Sequence, residues 1–399
     1  MSASPIDQAV ERISRQLIDD RRYFHQHPEL GMEEINTSRI VAERLRELGI
    51  EVRPGIAGTG VLGTLRGGKP GKTVLLRADM DALPIEEENV VPYRSQHPGK
   101  MHACGHDGHT AILLGVANVL AGMRDIIPGT IKFAFQPAEE AVGGAKPMIE
   151  AGVMENPHVD ACFGLHLWQN LPIGTIGVRS GPLMAAADGF RVVIEGQGGH
   201  AAEPHATVDA TLIACETVVA LQSLVSREID PQQPAVVTVG SLHSGTASNV
   251  ISGRAELTGT VRSFDADVRQ YLATRIPELI TTAVAGLRGV ADGSYAFGVP
   301  ATVNNPAMAA IARKAAASVV GDERVVEPTP TMGGEDMSFF LEAAPGCYVF
   351  VGSRNDATNK IYGHHHPRFD IDEQALLIGA ETLVRTVLAY LGTETGADM

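Results

Sequence analysis

Fourteen histidines are spread along the 399 residues, and several stand beside carboxylates where a strand-like apolar run ends. Asp79 and Asp81 follow the run 73–78, Glu139 and Glu140 follow 130–135, and His166 lies at the end of the run that starts at 160. A polar loop, Met101-His102-Ala103-Cys104-Gly105-His106-Asp107, precedes a helical stretch, and Gly363-His364-His365-His366-Pro367 adds imidazoles near the C-terminus. Cys-x-His puts a thiolate and an imidazole two residues apart, able to grip one metal ion or to bridge two. With carboxylates they form the mixed N/O/S set that zinc and its neighbours in the divalent series accept. Each signal alone has a plainer reading, since a lone His or a Glu pair is usually a solvated surface feature and the His triplet a surface run. Cys104 also has a rival role as a nucleophile, with His106 or His109 as its base. Their joint occurrence at strand ends favours a metal centre, because ligands of open α/β sheets bind outside the carboxyl ends of the strands.

The elements that must position these groups follow from hydrophobic periodicity. Residues 7–48 read as two helices broken at Pro28-Glu29-Leu30-Gly31. Strands are expected at 60–65, 73–78, 130–135 and 160–167, with helices at 110–120 and 145–151 between them. Such alternation predicts an α/β fold with a mostly parallel central sheet. The pattern changes near residue 183 to strand 189–196, helix 208–229, strands 235–241 and 254–262, helix 265–287 and strand 294–299. That βαββαβ order is the plan of a ferredoxin-like module, so residues 183–300 read as a domain inserted into a discontinuous catalytic domain of 1–182 and 301–399. The α/β pattern resumes with helix 306–319, strand 347–351 and helix 373–390.

Composition narrows the function classes. The formal net charge of −15 excludes a nucleic-acid binder that works through bulk positive charge. Hydrophobic residues make up 44% and charged residues 20%, which is ordinary globular composition. No stretch approaches the ~20 apolar residues of a spanning helix and the N-terminus has no signal-like apolar region, so a cytoplasmic protein with no membrane partner is expected. Cys104, Cys162, Cys215 and Cys347 have no paired spacing. Apart from Cys104 they read as small buried hydrophobes.

Taken together, Phe24-His25-Gln26-His27-Pro28-Glu29-Leu30, Arg77-Ala78-Asp79-Met80-Asp81-Ala82-Leu83-Pro84, the Cys104 loop, Gln136-Pro137-Ala138-Glu139-Glu140, Gly198-Gly199-His200-Ala201-Ala202, Gly333-Gly334-Glu335-Asp336 and His365-His366-Pro367 resemble a known family. It is that of the dinuclear-metal amidohydrolases, which includes hippurate hydrolases, N-acyl-amino-acid deacylases and auxin-conjugate hydrolases, within the aminoacylase and carboxypeptidase superfamily. The resemblance runs over nearly the whole chain. It implies two divalent metal ions, zinc or manganese with cobalt or nickel as further candidates. Cys104 would bridge them, with His106 and His166 completing one site and Glu140 and His365 the other; His364 and His366 would be neighbours. Glu139 would be the general base, with His200 as oxyanion donor and Asp81 completing the catalytic set. Asn249, Arg262 and Gly333 would meet the substrate. The inserted module would be a lid and dimerisation domain, giving a homodimer. Where the family usually has Asn-Val-Ile-Pro, this chain has Asn249-Val250-Ile251-Ser252. The implied reaction is hydrolysis of N-acyl amino acids, with a dipeptidase or carboxypeptidase as the rival.

Overall fold

A computed structural model describes residues 4–140 and 143–393, and the chain divides into two units. The first comprises Met1–Leu183, Val303–Thr329 and Asp336–Met399, the second Met184–Thr302 and Pro330–Glu335. The segment Pro330–Glu335, which contains Gly333, thus groups with the second unit although the sequence pattern places it in the resumed α/β stretch.

In the first unit the chain runs α1 (Pro5–Gln26), α2 (Ile35–Glu47), β1 (Glu51–Ile56), β2 (Gly60–Arg66), β3 (Lys69–Asp79), α3 (His106–Gly122), β4 (Pro128–Gln136), α4 (Ala145–Glu150), β5 (Ala161–Pro172) and β6 (Ile176–Gly177). After β7 (Gly181–Met184) it forms the second unit and returns through β14 (Thr302–Asn304) to α7 (Pro306–Val320), β15 (Val325–Val326), α8 (Met337–Ala343), β16 (Gly346–Arg354) and α9 (Gln374–Leu391). Eight strands form one sheet in the order β1-β2-β4-β3-β5-β16-β6-β15. Its centre, β4-β3-β5-β16, is parallel, with Leu76 opposite both Phe133 and Phe163. These strands are buried along their apolar runs, as expected of parallel strands covered on both faces. Leu76, Phe133 and Phe163 share one core with Leu17 of α1, Leu113 and Leu120 of α3, and Val384 and Leu388 of α9.

The sheet is mixed, with a parallel centre and antiparallel pairs around it. Pairs β1–β2, β2–β4 and β16–β6 are antiparallel. For β1–β2 the cause is the hairpin, whose three-residue connection admits only antiparallel pairing. Strand β1 carries polar, exposed residues at the sheet edge, so it lacks the apolar run by which its neighbours are recognised.

The second unit contains β8 (Ala186–Glu195), β9 (Gly199–His200), α5 (Ala210–Ser223), β10 (Ala235–Ser244), β11 (Val250–Ile251), β12 (Arg254–Ser263), α6 (Ala266–Gly286) and β13 (Val290–Val299). Its four-stranded sheet is antiparallel in the order β10-β12-β8-β13. Val192, Ile194, Leu257 and Val261 pack with Ile213 and Leu221 of α5 and Leu272 and Ile276 of α6. Asp209 and Asp265 cap the two helices, each accepting two backbone N–H groups.

Two sequence expectations need correction. Cys162 and Cys347 are buried, but Cys215 is exposed, because it lies on the face of α5 that carries Leu212 and Val219, 54% and 67% exposed. Two helical segments, Ala210–Glu228 and Gln374–Leu391, do have the length and mean hydropathy of a spanning helix. One face of each serves a core: Leu376, Leu383, Val387 and Leu388 of α9 are buried in the first unit, and Ile213, Ala214 and Leu221 of α5 in the second, while Leu212 and Val219 of α5 stay exposed.

Candidate metal centre

The site is built where the central strands of the first unit end at different heights. Strand β3 finishes at Asp79, opposite Gln136 at the end of β4, so Asp81 and the pair Glu139-Glu140 lie just past the sheet. Strand β5 runs further than β3. Its last residue paired with β3 is Gly164, opposite Arg77, so the register puts His166 level with Asp79, the last residue of β3, where it is still paired with Phe350 of β16. Cys104 precedes α3, whose N-cap, Gly105, has φ of +95°, a left-handed conformation that a β-carbon disfavours. The turn makes His106 the first helical residue and puts His109 on the same face one turn on. Helix α3 meets β5 at Gly108, where an added β-carbon would lie 2.4 Å from Leu167 Cδ1.

These elements bring seven of the expected residues together. Donor atoms of Cys104, His106 and His166 lie within 4.8 Å of one another, and so do those of Cys104, Glu140 and His365, and of His106, Glu139 and Glu140. Cys104 Sγ is 3.6 Å from His166 Nε2. His365 Nε2 is 3.0 Å from Glu140 Oε1, and its own N–H donates to the Ala103 carbonyl at 2.8 Å, tying the C-terminal loop to the Cys104 loop. Asp81 accepts the backbone N–H groups of Glu139 and Glu140, both at 3.0 Å. The other two imidazoles of the triplet are engaged elsewhere: His364 Nε2 donates to the Leu167 carbonyl at 2.9 Å, and His366 Nδ1 accepts the Arg368 N–H at 3.0 Å.

Hydrogen-bond partners fix the ring tautomers. His106 Nδ1 faces the Asp81 carbonyl at 2.9 Å and His166 Nδ1 the Leu167 carbonyl at 2.9 Å. Carbonyls only accept, so both Nδ1 atoms carry a proton, and in the neutral rings both Nε2 atoms keep their lone pairs for a ligand. His109 differs. Its Nε2 accepts the Leu167 N–H at 2.9 Å and its Nδ1 donates to Asp79 Oδ1 at 2.6 Å, so both ring nitrogens are spent on structure. Asp79 also accepts from Arg77 at 2.7 Å. Asp79 and His109 are thus supports rather than ligands; the signal in the sequence was the His106–His109 spacing of three, which reads equally well as a pair of ligands.

The donor set fits a divalent cation. His106 Nε2 is buried without a hydrogen-bond partner, although it lies amid Cys104, Glu139 and Glu140. Burial and the neighbouring Glu140 push the Cys104 thiol well above its ordinary value, since a thiolate there would repel the carboxylates. A cation among these groups removes that repulsion and takes up the bare lone pairs. Burial and His109 hold His166 well below the usual histidine range, which keeps it in the neutral form a metal requires. For His106, burial is outweighed by Asp79 and Asp81, which raise it well above the ordinary value; a bound cation would oppose that proton directly. The same environment works against Cys104 as a nucleophile, because reactive cysteines need a stabilised thiolate and His109 has no lone pair free to act as its base.

The remaining expected residues belong to the second unit. His200 and Val250 are directly opposed in the β9–β11 ladder, and the Asn249 carbonyl accepts the Ala201 N–H at 3.1 Å, so His200 and Asn249 are neighbours. His200 Nδ1 accepts the Ala202 N–H at 3.0 Å, which leaves Nε2 as the protonated, donating nitrogen of an exposed ring. Ser252, in place of the family's proline, closes its turn through an Oγ hydrogen bond to the Arg254 carbonyl at 2.7 Å. Arg262 on β12 donates to the Val261 carbonyl at 3.0 Å and to Thr260 Oγ1. Gly333 donates to Thr331 Oγ1 at 3.3 Å, and its carbonyl accepts the Ala185 N–H at 3.0 Å.

Comparison with known proteins identifies the family. The model of peptidase family M20/M25/M40 matches residues 75–389. Thermostable carboxypeptidase 2 of Saccharolobus solfataricus is 46% identical over 376 residues, covering 93% of this chain and 94% of the relative. The N-acetyl-L-cysteine deacetylase of Bacillus subtilis is 42% identical, with 92% and 86% covered. Among solved structures, a dinuclear metal-binding peptidase of the M20 family from Bacillus subtilis superposes with a TM-score of 0.84 at 35% identity, over 96% of this chain and 99% of that one. With the family model spanning most of its length and relatives this similar along nearly all of it, the chain belongs to peptidase family M20/M25/M40.

Proposed function

We propose that this protein is a metal-dependent amidohydrolase that cleaves the amide bond of N-acyl amino acids, adding water to give a carboxylic acid and a free amino acid. The observation that carries the reading is that one thiol, Cys104, belongs to two ligand triplets, with His106 and His166 on one side and Glu140 and His365 on the other. A donor shared in this way suits the bridge between two ions of zinc, manganese or their neighbours. Bound there, such ions supply Lewis acidity that polarises the amide carbonyl and makes water acidic near neutral pH. Glu139, beside the triplets, takes the proton from the attacking water and returns it to the leaving nitrogen as the C–N bond breaks. Asp81 holds the backbone of both glutamates and the ring of His106. The second unit, a ferredoxin-like lid in this reading, supplies recognition. The donating Nε2 of His200 suits a developing oxyanion. Arg262, whose guanidinium donates to the Val261 carbonyl and Thr260 Oγ1, suits the carboxylate of the amino acid together with Asn249 and Gly333. The apolar stripe Leu212, Cys215 and Val219 supports a homodimer through this unit, and the need to keep Cys104 reduced supports a cytoplasmic setting.

The carboxypeptidase among the relatives supports a second reading, in which the same centre cleaves a peptide. One experiment separates them: hydrolysis of N-acetyl, N-benzoyl and indole-acetyl amino acids beside dipeptides, after chelation and reloading with each metal. N-acyl amino acids turning over fastest, with activity lost on chelation and regained on reloading, is the expected result. Preference for dipeptides would favour the second reading, and full activity in a sample with well below one equivalent of metal would overturn both.

A further inference from the structure

Glu34 is fully buried at the start of α2, and nothing in the reaction described above uses it. Its two carboxylate oxygens are occupied in different ways. One accepts the Thr59 hydroxyl at 2.6 Å. The other reaches a residue more than a hundred positions away, accepting the Ala138 backbone N–H at 2.8 Å. Ala138 is the residue before Glu139, is itself fully buried, and has φ of +51°, a left-handed conformation that an alanine adopts only when its surroundings impose it. The next two N–H groups, of Glu139 and Glu140, go to the two oxygens of Asp81. Three consecutive backbone donors are thus held by two buried carboxylates from separate segments, Glu34 on the side of the general base and Asp81 beneath both glutamates. Charge-assisted hydrogen bonds of this kind are short and directional, and together they fix the peptide planes from which Glu139 and Glu140 project.

From this geometry we infer that Glu34 is a positioning residue for Glu139: its acceptor oxygen holds the Ala138 peptide in the left-handed turn that aims the general base at the reacting centre. The inference rests on the reading of Glu139 as the base. Displacing a catalytic group by about an ångström can cost up to about 100-fold in rate, so a small retreat of the acceptor should register. What matters is the place of the oxygen rather than its charge. Glu34→Gln keeps an oxygen for Ala138 and turns its NH₂ towards Thr59, whose hydroxyl can accept. Glu34→Asp keeps the charge but withdraws the acceptor by one methylene.

The two variants and the wild type are compared, metal-loaded, for kcat and KM on an N-acyl amino acid, for metal content by elemental analysis, and, metal-free, for deuterium uptake over residues 136–140. Glu34→Gln should stay within about threefold of wild type in kcat. Glu34→Asp should lose about 10- to 100-fold in kcat, with KM and metal content little changed and uptake over 136–140 faster. The reverse order, with Asp active and Gln impaired, would overturn the inference by making charge the essential property. So would a fall in Tm for both variants with kcat per metal-loaded subunit unchanged, which is the signature of a merely structural role. If the wild type hydrolyses no N-acyl amino acid, the functional reading fails, and the exchange measurement judges the clamp by itself: equal uptake in all three proteins overturns it.

Discussion

Glu139 and Glu140 are adjacent in sequence and hang from the same carboxylate, yet only Glu140 shares a ligand triplet with Cys104 and His365. Replacing either carboxylate by an amide should therefore have different consequences. Glu139→Gln should retain both metals and lower turnover by roughly 10² to 10⁴, the usual range for a general base, whereas Glu140→Gln should lose one metal. Elemental analysis beside kcat measures both effects, and exchanged phenotypes would reverse the assignment. Cys104→Ser should lower metal affinity and rate together, because a serine oxygen is a far poorer ligand than a thiolate near neutral pH. The single tryptophan, Trp168, gives an activity-independent readout: its ring lies 5.3 Å from that of His166 and stacks on Phe350, so its fluorescence should titrate with added metal in wild type and respond at higher concentrations in Cys104→Ser. Ligand types were legible in the sequence because thiol, imidazole and carboxylate declare their chemistry. Residue types alone did not divide ligands from supports; the family resemblance proposed the division, and its physical basis is which ring nitrogen meets a carbonyl, as at His106 and His166, and which meets an N–H, as at His109.

At the scale of elements, the site depends on how closely α3 lies against β5. Gly108 makes that possible: a β-carbon there would meet Leu167 Cδ1 at 2.4 Å, Leu376 Cδ2 at 3.2 Å and Ile371 Cδ1 at 3.3 Å. Gly108→Val should cost about 1–3 kcal/mol by overpacking and, by lifting the start of α3 from the sheet, weaken metal binding as well. The fall in Tm would be read by calorimetry and the loss of affinity by metal titration; a variant with lowered Tm and unchanged affinity would mean that the helix end adjusts independently. The apolar elements, β2 to β5, α3 and α9, were legible because burial imposes their hydrophobic runs and periods. Strand β1 was not, since an exposed edge strand needs no apolar run, and the mixed character of the sheet went unread with it. Gly108 offered no signal either, because glycine inside a helix usually means only lower propensity, and the close contact it serves arises from a strand nearly sixty residues later.

On the scale of the whole first unit, a buried ionic hub joins segments from both ends of the chain behind the metal centre. Arg21 of α1 is fully buried and donates to Asp107 of α3 at 2.8 Å and to Asp370, just before α9, at 2.9 Å. His25, also fully buried, faces Asp107 at 2.7 Å through Nδ1 and Glu87 at 3.2 Å through Nε2. Removing one member of such a cluster leaves uncompensated buried charge, so Arg21→Met should destabilise by about 3–5 kcal/mol. The pH dependence has a definite sign. For His25 burial is outweighed by its two carboxylate partners, and the result is a raised value. Its contribution is therefore complete below the ordinary histidine pKa of about 6.5 and is lost as pH rises through the elevated folded value. For Asp107 burial is outweighed by Arg21 and His25, and for Glu87 by His25, so both are lowered; their contribution is present above the ordinary carboxylate range and is lost in acid. His102, buried in the same region and held down to about 4 by that burial, works in the opposite direction to His25, losing stability as pH falls below about 6.5. Absolute Tm against pH would mix the two. The difference in Tm between wild type and His25→Gln removes the part of the His102 contribution that comes from burial, its largest cause, and should be largest between about pH 5 and 6.5, shrinking as the solution is made alkaline. A difference that stays constant from pH 6 to 9 would mean that His25 is neutral in the fold and that the hub is held by Arg21 alone.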